Sequence, residues 1–118
     1  MDPELENNWN KLLQQLAANF GGDLELEGIL FLIGVQELGK GYGKFNKNEK
    51  VDLIHIAICT LLTPYGYYEF AGTDEEGWPH WKVNEELPPL KPAQQYLLMK
   101  QAIIDYFQNQ DIDEIPNP

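Results

Sequence analysis

The sequence predicts a mainly α fold: a four-helix domain with a largely buried second helix and one β-hairpin inserted between helices 3 and 4. Three observations carry this. Apolar residues recur at helical spacing in four segments. The second segment is apolar around nearly its whole circumference. Between the third and fourth, an aromatic stretch alternates with a period of two. At 118 residues the chain suits one domain with a modest core. The expected division is a single helical domain over residues 1–110, with the hairpin at about 66–84, and an acidic, frayed tail over residues 111–118.

The first helix is marked by Leu5, Trp9, Leu12, Leu13, Leu16 and Phe20, with Asp2 as its cap and Pro3 in its first position. Gly21-Gly22 stops it, and Asp23 can cap the second helix, which runs to about Leu38 and stops at Gly39. In this helix Leu24, Leu26, Ile29, Leu30, Phe31, Leu32, Ile33, Val35 and Leu38 point in nearly all directions, so protein must surround it. Gly28 and Gly34 inside it cost helix propensity and point to the close approach of another element. Asn46 and Glu49 have capping-box spacing at the start of a third helix, which runs from about Lys47 to Thr63 and ends before Pro64. Pro88-Pro89 forms a rigid connection to a fourth helix that begins near Pro92 and carries Tyr96, Leu97, Ile103, Ile104 and Phe107 on one face.

The hairpin is dense in rings, holding six of the fourteen Phe, Trp and Tyr residues between Tyr65 and Lys82. Pairing Phe70 with Trp81 sets Tyr68 against Val83 and Glu69 against Lys82, giving one apolar face and one charged face. The same register puts Asp74 opposite Gly77, residue types that suit the ends of a tight turn. A glycine bulge at Gly77 would instead shift the register and set Phe70 against Lys82. In the favoured register Tyr68, Phe70, Trp81 and Val83 anchor the hairpin on the helices. Tyr65, Tyr67, Trp78 and His80 are left near the surface beside Asp74, Glu75 and Glu76, an aromatic and acidic combination found at binding hot spots.

Composition narrows the partners. Nineteen acidic residues face eight lysines and no arginine, for a net charge of -11. Phosphate backbones are held by clustered cations, so direct nucleic-acid binding is not expected. Half of the lysines gather at Lys40, Lys44, Lys47 and Lys50, beside glycines that faintly resemble a phosphate loop but follow a helix and lack the hydroxyl residue. Cys59 is the only cysteine, which fits a reducing compartment. No apolar run is long enough to cross a membrane, and the acidic start of the chain lacks the basic-then-apolar order of a secretion signal. A cytoplasmic protein is expected.

Two sets of residues compete for chemistry. On the third helix Asp52, His55, Cys59 and Thr63 form a narrow polar stripe, the members of an activated thiol without an oxyanion site. Asp52 and His55 also have the carboxylate-x-x-His spacing of helical metal sites, and Glu37 can supply a third ligand for a divalent metal. That donor set is short of a di-metal centre: the first helix offers no inward carboxylate, and the fourth offers only Asp105 on its polar side. Asp74-Glu75-Glu76-Gly77 is too short for a calcium loop. The expectation is therefore a small non-catalytic interaction or regulatory module without a cofactor. It contacts a basic protein, or a second copy of itself, through the hairpin; the alternative is a metal-binding protein or enzyme using Glu37, Asp52 and His55.

Overall fold

The computed structural model describes residues 3–20, 25–39, 45–88 and 90–109. The elements are α1 (Pro3–Phe20), α2 (Leu26–Leu38), α3 (Lys47–Leu62), a 3₁₀ turn (Thr63–Tyr65), β1 (Tyr68–Thr73), β2 (Pro79–Val83) and α4 (Pro92–Gln108). The fold is mainly α with one antiparallel hairpin between the third and fourth helices. The expected cap at Asp2, the Gly21-Gly22 stop, the cap at Asp23, the loop through Lys40 and Lys44, and the tail after Gln110 lie outside the described residues.

Within the span that the sequence reads as one domain, the chain gathers into two compact units. One is Met1–Glu25 with Leu90–Pro118, and the other is Leu26–Pro89. In the first, α1 packs on α4. Trp9, Leu12 and Leu16 are buried along one stripe of α1, and Met99, Ala102, Ile103 and Phe107 are buried along α4. Pro92 starts α4, and the Gln94 side chain accepts from the Lys91 backbone N–H at 3.3 Å. The Lys91 side chain has only donors and cannot return that bond.

The second unit is built on the α2–α3 pair. Leu32, Ile33, Gly34 and Val35 are buried in succession, which covers roughly 300° of the α2 axis. The buried second helix is therefore as expected. Its glycine has the anticipated cause at Gly34: a Cβ there would strike the Leu53 carbonyl oxygen and stand 2.7 Å from the carbonyl carbon. The helix ends as Gly39 donates to the Val35 carbonyl at 3.2 Å. The capping box of α3 is complete, with Glu49 N–H donating to Asn46 Oδ1 at 2.8 Å and Asn46 N–H donating to Glu49 Oε1 at 3.1 Å.

The hairpin register is Tyr68 with Val83, Glu69 with Lys82, and Phe70 with Trp81, as alternation predicts. Beyond Phe70 the pairing changes. A bulge between Phe70 and Gly72 shifts it by one residue, so Gly72 meets His80 and Thr73 meets Pro79. A second irregularity at Gly77 absorbs the shift: Gly77 N–H donates to the Asp74 carbonyl, while Asp74 N–H donates to the Trp78 carbonyl. Gly72 and Gly77 have φ of 117° and 88°, backbone values that side-chain-bearing residues rarely adopt. The sequence treats the Gly77 bulge and the Phe70–Trp81 pair as alternatives. The two bulges cancel, so both are present.

This also changes which rings anchor the hairpin. Val35, Leu38, Leu53 and Ile56 form a core against which Phe31, Phe45, Trp78 and Trp81 pack. Trp81 is an anchor as expected, and Trp78, expected at the surface, joins it. Phe70 and Val83, expected as anchors, are 54% and 62% exposed. A bulge bends the strand that carries it, and the tip beside the turn thus meets the helices through two indoles. Half-burying each is worth about 2 kcal/mol of apolar area. At the base, Tyr67 N–H donates to the Leu62 carbonyl and Asn84 Nδ2 to the Gly66 carbonyl, fixing both strands to the end of α3.

Candidate functional site

The turn of the hairpin is organised by one carboxylate. Asp74 Oδ1 accepts from the backbone N–H groups of Glu76 and Trp78, each at 3.0 Å, and Oδ2 lies 2.8 Å from His80 Nε2. Aspartate is suited to this because its short side chain can turn back on the amides that follow it. The bond from His80, aided by the Trp78 and Glu76 amides, holds the Asp74 carboxyl below its ordinary value. Asp74 therefore fixes the positions of Trp78 and His80. Glu75 is exposed at the tip, and Tyr65 and Tyr67 are half-buried near the base.

On α3, Asp52 and His55 are exposed whereas Cys59 is fully buried. The polar stripe is thus open to solvent at Asp52 and His55, closed at Cys59 and half-buried at Thr63. His55 Nε2 lies 3.5 Å from Cys59 Sγ, and its ring meets Tyr68 edge-on with centroids 6.4 Å apart. Burial pushes the Cys59 thiol up to about 11, the opposite of the lowered value an activated thiol requires. Burial also raises Tyr68, with a smaller contribution from Cys59. Thr63 Oγ1 donates to the Cys59 carbonyl at 2.6 Å and closes the helix end.

The hairpin lies along this same stretch of α3. A cleft of about 350 Å³ separates Asp52, His55 and Ile56 on the helix from Asp74, Trp78 and His80 on the hairpin. Glu49 and Glu76 also border it. Residues that the sequence assigns to two competing readings, metal binding and partner binding, therefore share one site. Glu37 does not join them. It borders a second cleft of about 510 Å³, with Leu38, Thr60, Phe70 and Trp81. Among the described residues no three His, Cys, Asp or Glu side chains come together so as to hold a metal ion, and the Glu37–Asp52–His55 set is accordingly not assembled.

Comparison with protein-family models, with curated proteins and with solved structures returns no match. The site must be read from its own geometry. Four carboxylates around one cleft favour a cation through their charge. No helix among the described residues is long and apolar enough to cross a membrane.

Sequence reasoning missed one further arrangement, within the α1–α4 unit. Lys100 is 5% exposed, with its ammonium 4.6 Å from the Tyr96 ring centre and 5.4 Å from that of Trp9. Glu6 approaches it at 3.8 Å, and Glu6 Oε2 is buried without a hydrogen-bond partner. The first helix thus does offer an inward carboxylate, contrary to expectation. The available signal was the spacing of Tyr96 and Lys100, which stacks them one turn apart.

Proposed function

We propose that this protein is a non-catalytic interaction module of the cytoplasm that binds a basic partner protein at the α3–hairpin cleft. The observation that carries the reading is the convergence of Glu49, Asp52, Asp74 and Glu76 on a cleft walled by Trp78, in a chain of net charge -11. An indole held in place by the core is a rigid, low-entropy contact, and surrounding carboxylates speed encounter with a basic surface. Asp74 and His80 shape the turn, while Glu75 at the tip adds to the attracting field. The buried, protonated Cys59 supplies no nucleophile, which favours binding over catalysis.

Capture from a native lysate tests this with two baits, the wild type and Glu49→Gln/Asp52→Asn/Glu76→Gln. The reading expects one basic protein, near stoichiometric with the wild type and lost with the variant at unchanged helicity. An identical set of proteins on both baits refutes it. The exposed Phe70 and Val83 favour self-association as the second reading, with hairpins paired across a two-fold axis. Sedimentation decides that point, since a monomeric native species removes the dimer.

A further inference from the structure

We propose that the α3–hairpin cleft loosens its hold on the basic partner as the solution moves from about pH 8 to pH 6, because both histidines of the chain line it. This rests on the proposed interaction with a basic protein and adds how that interaction is regulated.

His55 belongs to α3 and His80 to β2, and the hairpin lies along the helix so that both border the same cleft of about 350 Å³. Glu49, Asp52, Asp74 and Glu76 are the other ionisable groups on its lining, and among the described residues no lysine lines it. Histidine is the side chain that changes charge between about pH 5 and 8, whereas carboxylates as a class stay ionised there. A proton gained on each imidazole therefore takes the lining from four net negative charges to two. Both histidines are exposed, so protons reach them without any opening of the fold.

The surroundings of each ring give the charge change its effect. His80 Nε2 lies 2.8 Å from Asp74 Oδ2, with Glu76 on the same lining. Once protonated, His80 forms an ion pair with Asp74, and that carboxylate is held within the turn rather than offered to a partner. On the same side of β2, Lys82 stands two residues on, opposite Glu69 in the strand register, a balanced pair throughout this range. His55 has Asp52 one turn earlier on α3, Cys59 Sγ at 3.5 Å and the Tyr68 ring edge-on from β1. Burial raises both the thiol and the phenol, so neither adds charge below pH 8. An incoming cation thus meets one imidazole on the helix wall and one on the hairpin wall. Linkage makes the effect reciprocal: a bound cation disfavours these protons by the factor by which they weaken its binding.

The probe is acetylated, amidated tetra-arginine, whose own charge is the same at pH 8 and pH 6. Calorimetry on the wild-type chain should find binding about tenfold weaker at pH 6 than at pH 8. Repeated at pH 6 in buffers of differing ionisation heat, binding should release protons. His55→Gln and His80→Gln should each lose part of the pH dependence, and the double variant should vary by less than about twofold. Each variant is judged by its own ratio between the two pH values, so a changed affinity at pH 8 does not enter. Proton release is read on the wild type alone and decides the matter should a variant fail to fold. Equal wild-type affinity at both pH values, without proton release, overturns the histidine inference and leaves the basic-partner reading standing. An undiminished pH dependence in the double variant does the same. No binding of tetra-arginine at pH 8 overturns both.

Discussion

Phe70 and Trp81 oppose each other across the hairpin and meet edge to face at 5.5 Å, but only Trp81 packs on the core. Their contributions to stability should therefore be unequal. Trp81→Ala and Trp78→Ala each remove a half-buried indole from the Val35–Ile56 cluster and should cost about 2 kcal/mol. Phe70→Ala should cost under about 1 kcal/mol, being mainly the loss of one ring pair. Urea denaturation of the three variants measures this. Equal losses at positions 70 and 81 would mean that the apolar face docks as a whole.

The α2–α3 contact makes a sharper demand. A methyl group on Gly34 has no room against the Leu53 carbonyl, which is backbone and cannot rotate away. Gly34→Ala should destabilise by about 1–3 kcal/mol despite the better helix propensity of alanine. Thermal melts decide, and a rise in midpoint contradicts the close approach.

Asp74 gives a pH dependence with a definite sign. Its carboxyl titrates below the ordinary value because the charged form receives hydrogen bonds from His80 and two backbone amides. The group thus stabilises the turn above the ordinary carboxylate range, and that contribution is lost as pH falls through the depressed folded value. Carbon-detected NMR titration should find Asp74 below the other exposed carboxyls, moving back toward them in His80→Ala. An unchanged Asp74 in that variant would remove His80 as the main cause.

Cys59 should be slow to react in the native protein. With the thiol at about 11, roughly one molecule in a thousand carries the thiolate at pH 8, and burial restricts access further. A thiol reagent at pH 8 should label it only on addition of denaturant. The raised folded value also means that its stabilising contribution is full below about pH 9 and is lost as pH rises through about 11. Rapid stoichiometric labelling of the folded chain contradicts this placement.

The stop of α2 at Gly39, the Asn46–Glu49 capping box, the start of α4 at Pro92 and the Phe70–Trp81 pair were legible because each depends on neighbours in sequence or on simple periodicity. The docking side of the hairpin was only half legible. Alternation separates two faces but cannot reveal compensating bulges at Gly72 and Gly77, nor that Trp78 reaches the core from outside either strand. The shared cleft was not legible, since nothing local says that His80 and Asp74 will lie beside Asp52 and His55. Glu37 shows the same gap, because its place on α2 does not tell which cleft it borders.

The most direct test of a cation-reading cleft is an NMR titration of the nitrogen-15-labelled chain with acetylated, amidated tetra-arginine. The account predicts saturable shifts at the Trp78 indole N–H and at the amides of Glu49, Asp52, Glu76 and His80, weakening as salt is raised. The amides of α1 and α4 should stay still. Shifts spread evenly over every acidic stretch, with Trp78 unmoved, would contradict it.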